Sequence, residues 1–209
     1  MVAQERRSLA DLLDELTAGQ LHSASLCRGW TVHDVAAHVV MVLEVGTAEV
    51  LRALAVARGS YDRANVALTR RWARRPAADL AASLRRRAES RFTPPGQGPQ
   101  APLTDTLVHE LDIVRPLGIA RALPAEPLRL ALDFLMQPRP VSGGPAPTMV
   151  PKGLLNGLRL HATDLDWQAG RGAEVSGRAD DLLLAITGRA AAADRLAGDG
   201  TALLRRRLR

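Results

Sequence analysis

Asp105 and His109 stand one helical turn apart in Thr104-Asp105-Thr106-Leu107-Val108-His109, inside an otherwise apolar run, and that placement limits the folds open to the chain. Groups at i and i+4 share one face of a helix. Turning that face into a core buries a carboxylate and an imidazole, which then need a partner such as a cation. Upstream, Trp30-Thr31-Val32-His33-Asp34-Val35-Ala36-Ala37-His38 sets another histidine, His38, among the aliphatic positions of a second amphipathic helix. Two rods that bring these three side chains together make a three-ligand metal site. Three protein ligands leave one position of a tetrahedral ion for water, thiol or substrate, the arrangement of catalytic rather than structural zinc.

The remaining histidines are weaker candidates. His33 lies ~140° around the helix from His38, so both cannot easily face one ion. His22 falls in a loop, and His161 on an alternating strand reads as a packed or surface residue. Asp112, at i+7 from Asp105 and only ~20° away around the helix, has two readings. It replaces Asp105 as ligand, or it orients His109 or pairs with Arg115. Glu110 points away from that stripe, toward solvent or a salt bridge. Cys27 reads either as a thiol activated by the positive helix start at Thr31 or by the metal, or as a residue packed beside Trp30. Trp30 itself reads as a core anchor.

The chain has 209 residues, long enough for one large domain or two small ones. A hydrophobic share of 46% argues against disorder. The most apolar run, Val35 to Ala57, is interrupted by His38, Glu44, Glu49 and Arg52, so no membrane span is expected. The amino terminus leads into a helical pattern without a signal-peptide core, and the expected location is cytoplasmic. A single cysteine excludes an internal disulfide and any multi-thiolate cluster. Net charge +6 invites a nucleic-acid reading. Against it, Lys152 is the only lysine, the arginine runs mostly fall on helices, and aromatic residues for stacking on bases make up 3% of the chain. The expected partners are therefore small molecules, with no nucleic acid and no membrane.

Leu9, Leu12, Leu13 and Leu16 recur at helical spacing and predict a first helix over Glu5 to Leu21. Thr31, with Asp34 three residues on, caps a second helix that runs to about Arg58 and stops at Gly59. A third begins near Tyr61. Pro76 and Asp79 mark a break or fresh start for the stretch ending near Phe92. Thr93 to Pro102 reads as a loop, Leu103 to Arg115 as the helix of Asp105 and His109, and Glu126 to Met136 as one more. Pro138 to Pro151, dense in proline and glycine, reads as a domain boundary. Beyond it, Leu158 to Thr163 alternates as a strand, with Ala173 to Gly177 as its returning partner. Helices follow over Asp180 to Ile186, Arg189 to Leu196 and Thr201 to Leu208.

In their order and spacing, two stretches resemble the mycothiol-dependent maleylpyruvate isomerase family: Cys27-Arg28-Gly29-Trp30-Thr31-Val32-His33-Asp34-Val35-Ala36-Ala37-His38, and Asp105-Thr106-Leu107-Val108-His109-Glu110-Leu111-Asp112-Ile113. Leu158 to Trp167, Gly188-Arg189 and Leu196 to Gly200 look like that family's small carboxy-terminal domain. The resemblance implies a mainly α fold with a small α+β part. A DinB-like four-helix bundle would span residues 1–140 and a small α+β domain 150–209. It makes His38, Asp105 and His109 ligands of a divalent ion, zinc, and turns Arg189 toward the active site as a catalytic carboxylate-binding group. It also implies mycothiol or a similar low-molecular-weight thiol as cofactor and an electrophilic small molecule as substrate. The reaction is that of an isomerase or an S-transferase. Where the isomerase has a glutamate ligand, this chain has the shorter Asp105. The other function class open to the same bundle is a non-catalytic metal- or small-ligand-binding protein.

Overall fold

The computed structural model describes residues 1–93, 98–137 and 149–209. The expected boundary at Pro138 to Pro151 lies mostly outside the described residues, as does the Pro94-Pro95-Gly96 part of the expected loop. The fold class is the expected one, mainly helical with a small sheet toward the carboxy end. Ten α-helices among the described residues are α1 (Val2–Glu15), α2 (Ala18–His22), α3 (Val32–Glu44), α4 (Thr47–Val56), α5 (Tyr61–Trp72), α6 (Ala77–Arg86), α7 (Ala101–Val114), α8 (Ala125–Met136), α9 (Ala179–Ile186) and α10 (Thr201–Arg207). The strands are β1 (Leu158–Ala162), β2 (Gln168–Gly170) and β3 (Ala173–Gly177), and Ala190–Arg195 is a 3-10 turn. None of these helices is long and apolar enough to cross a membrane.

One compact unit holds α1 to α6 and residues Asp112–Ala120. Here α1 packs on α6, and α3 packs on α5 and α6. The leucines that predicted the first helix form its buried stripe, Leu9, Leu12 and Leu13. That helix ends earlier than expected. Leu16 turns extended (φ −77°, ψ 134°), and Thr17 opens α2 with a capping box in which its side chain accepts from the Gln20 amide. The long second helix likewise divides at Val45 and Gly46 into α3 and α4, while Gly59 (φ +77°) stops α4 as its sequence position suggests.

On the outer side of the α1–α6 pair, Arg7 Nη2 donates to Glu89 Oε1 at 2.5 Å. This hydrogen bond holds the Glu89 carboxyl below the usual carboxylate range. A depressed folded-state pKa adds stability above the unfolded value and loses it as pH falls through the folded one. Both groups are exposed, so the gain is small. In Arg7→Ala the Glu89 titration, followed by carboxyl NMR, should move up toward the ordinary glutamate range. An unchanged midpoint would mean that the pair does not persist in solution.

The second compact unit comprises the rest of the described chain. Its sheet has the order β2-β1-β3. β1 shows the alternation read from sequence, with Leu158, Leu160 and Ala162 buried and Arg159 and His161 outward. The expected returning strand, β3, runs parallel to β1, and the antiparallel partner is the three-residue β2, which the sequence reading missed. From β2 the chain swings round the start of β1. At Gly172 (φ +125°) a Cβ would stand 2.1 Å from the Gly157 carbonyl oxygen, so only glycine fits there. α9 covers the sheet and packs on α8, where Trp167 Nε1 donates to Asp133 Oδ1 at 2.8 Å. The stretch from Arg189 forms the 3-10 turn in place of the expected helix.

Candidate metal centre

The start of α3 is set by its cap. The Asp34 amide donates to Thr31 Oγ1 at 3.1 Å, and Asp34 Oδ2 accepts from the Thr31 amide at 2.9 Å. Seven residues on, His38 falls two turns into the helix, buried at 6% exposure. Its Nδ1 lies 3.3 Å from Oγ1 of Thr69, a fully buried residue of α5. The Trp30 ring sits against the imidazole with centroids 5.2 Å apart and a tilt of 53°. Trp30, half-buried rather than the expected core anchor, is thus a wall for His38. Thr69 went unnoticed in the sequence, where nothing marks it off from other helical threonines.

α7 is buried on almost every side: Leu103, Leu107, Val108, Leu111, Ile113 and Val114 are all buried. Its threonines avoid unpaired hydroxyls by bonding back one turn, Thr104 to the Gln100 carbonyl at 3.1 Å and Thr106 to that of Pro102 at 2.8 Å. Along this helix His109 Nε2 stands 3.5 Å from Asp105 Oδ1, the i,i+4 relation expected from sequence. Glu110 is salt-bridged as expected but buried rather than solvated, held at 2.5 Å by Arg121 Nε.

The turn before α3 is tied to the end of α7. Ser25 Oγ accepts from the Cys27 amide at 3.1 Å and donates to the Trp30 carbonyl at 2.9 Å. The Leu26 amide donates at 3.1 Å to the Asp112 carbonyl, one of the last-turn carbonyls that a helix cannot satisfy itself. Cys27 Sγ donates to Asp112 Oδ2 at 3.0 Å. Cys27 therefore faces a buried carboxylate, a contact that neither sequence reading of it contained.

Two donor groups result. His38, Asp105 and His109 each offer a ligand atom, all within 4.8 Å of one another; so do Cys27, His109 and Asp112. Two imidazoles and a carboxylate suit a borderline divalent cation such as zinc. The other histidines go elsewhere. His33 Nε2 lies 3.0 Å from the carbonyls of Ala73 and Arg75, His22 bonds the Ala18 carbonyl at the end of α2, and His161 is exposed on β1. Arg189, half-buried ahead of the 3-10 turn, donates from Nη1 to the Thr187 carbonyl at 2.8 Å.

No curated protein matches this chain. The crystal structure of a histidine-to-alanine mutant of the mycothiol-dependent maleylpyruvate isomerase matches it with a TM-score of 0.54 and 15% sequence identity. That likeness covers 96% of this chain and 94% of the other, and at such identity it speaks for the fold alone. A family model described as the mycothiol maleylpyruvate isomerase N-terminal domain matches residues 2–114. Because that span is more than half of the 209 residues, the chain belongs to the mycothiol maleylpyruvate isomerase N-terminal domain family.

Proposed function

We propose that this protein is a metal-dependent enzyme of the maleylpyruvate isomerase type, an isomerase or S-transferase that uses mycothiol or a similar low-molecular-weight thiol. The observation that carries the reading is the approach of the His38, Asp105 and His109 donor atoms to within 4.8 Å of one another in a largely buried setting. Zinc and thiol bound there would supply a thiolate sulfur nucleophile for an electrophilic substrate.

The chain's own residues prepare the site. The Nδ1 side of His38 is held against Thr69 Oγ1, and the Trp30 ring restrains the imidazole from the side. Asp105 contributes a hard oxygen and one negative charge against a dication. A cation held there would be coordinated through a side chain one methylene shorter than glutamate. Arg189 is the residue we assign to a substrate carboxylate, which its planar guanidinium would grip through two hydrogen bonds. Family membership supports the choice of thiol and reaction type. The partners on this reading are small molecules.

The test is metal analysis of protein purified without chelator, combined with thiol-dependent turnover of maleylpyruvate and a panel of other electrophiles, for wild type and His38→Ala. Stoichiometric zinc and mycothiol-dependent turnover are expected in the wild type, with the turnover lost in the variant. Bound metal with no thiol-dependent turnover of any panel member would overturn the enzyme reading and leave a binding protein.

A further inference from the structure

We propose that Cys27, His109 and Asp112 form a second cation seat, one that takes thiophilic divalent ions such as cadmium. It shares His109 with the reading above but needs neither His38 nor Asp105, so either can fail alone.

His109 and Asp112 lie at i and i+3 of one unbroken helix, which sets both on one face irrespective of any neighbour. Both are buried, Asp112 fully. Cys27 is brought to them by the Leu26 amide bond to the Asp112 carbonyl and by the Ser25 bonds that fold its own turn. The result is a thiol 3.0 Å from a carboxylate oxygen, with an imidazole nitrogen completing the group within 4.8 Å. Sulfur, nitrogen and oxygen in that mixture favour cadmium or zinc over magnesium or manganese, whereas the histidine–aspartate set has no soft donor.

On binding, the Cys27 S–H bond breaks, its proton passes to solvent, and the sulfur lone pair forms the bond to the cation. No electron is transferred. The thiol hydrogen bond to Asp112 is exchanged for coordination of both groups by one ion. The two seats draw on one imidazole; filled through the same nitrogen they exclude each other, so the chain holds one cation at a time.

The experiment titrates the metal-free full-length protein with cadmium chloride, reading sulfur-to-cadmium charge-transfer absorbance in the ultraviolet and total bound cadmium by equilibrium dialysis. The chain has a single cysteine, so any such band belongs to Cys27. Wild type and His38→Ala should both develop the band and saturate at one cadmium per chain. The isosteric Asp112→Asn should weaken the band-forming affinity by at least about 10-fold. Absence of the band in the wild type would overturn the proposal without any variant. A band of unchanged affinity in Asp112→Asn would reduce the site to a lone thiol, and a second cadmium bound alongside the first would overturn the exclusion. Failure of the enzyme reading would show separately, as missing turnover with the cadmium band intact.

Discussion

His109→Ala is expected to strip the protein of metal altogether, and with it of thiol-dependent turnover. His109 is the one residue common to both donor groups, so its loss leaves neither with three ligands. Removing an outer-shell partner of a metal ligand already costs ~10–100-fold in affinity, and a direct ligand should exceed that. Turnover should fall by about 100-fold or more, since the sulfur nucleophile depends on the cation. His38→Ala makes the informative contrast, because it disables the histidine–aspartate set while leaving Cys27, His109 and Asp112 in place. A thiophilic ion should still bind there, without activity. His109 is 7% exposed, so truncation also opens a void in the core. His109→Gln, which fills more of the space, and a thermal melt of each variant separate loss of ligand from loss of fold. Zinc content equal to wild type in a folded His109→Ala would sink the assignment.

What could be read from sequence was governed by range. The Thr31–Asp34 cap, the Asp105–His109 pair and the alternating face of β1 are each set by residues within one or two turns of each other, where helix and strand periods dictate the outcome. The breaks within the first two predicted helices were local as well. Thr17 and Gln20 carry a capping signature inside a leucine pattern, and Gly46 punctuates an aliphatic one; in both cases the punctuation overrides the hydrophobic period. The three-residue β2 has too few positions for any period to register. Other features depended on tertiary contact. Thr69 reaches His38 across 31 positions and Cys27 reaches Asp112 across 85, and neither pairing leaves a trace in local spacing. Glu110 shows the same limit from the other side. Its angle on the helix was legible, but its burial depends on Arg121, which lies past the turn at Gly118.

Arg6→Ala should lower the stability of the protein by about 3 kcal/mol, the value of a charge-assisted hydrogen-bond group lost from a buried site. For a chain of this size that corresponds to a fall in Tm of about 6–12 °C. Arg6 projects from α1 and is 1% exposed. Its Nη1 donates to the carbonyls of Ala88 and Ser90 at 2.9 and 2.8 Å and approaches that of Arg87 at 3.4 Å. These oxygens lie at the end of α6 and in the turn that follows, where carbonyls lack intrahelical partners and the helix dipole is negative. One buried cation thus satisfies acceptors on the helix that α1 packs against. Two effects oppose each other on substitution: unpaired carbonyls destabilise, whereas deleting a charge removes its desolvation cost. Arg6→Met weighs them, because it retains much of the volume without the donors. Arg6→Lys keeps the charge but loses the planar fork. The expected order of melting temperatures is wild type, Lys, Met, Ala. If Arg6→Met melted with wild type, solvent or a rearranged turn would be satisfying the α6 carbonyls, and the guanidinium would not be what fastens α1 to α6.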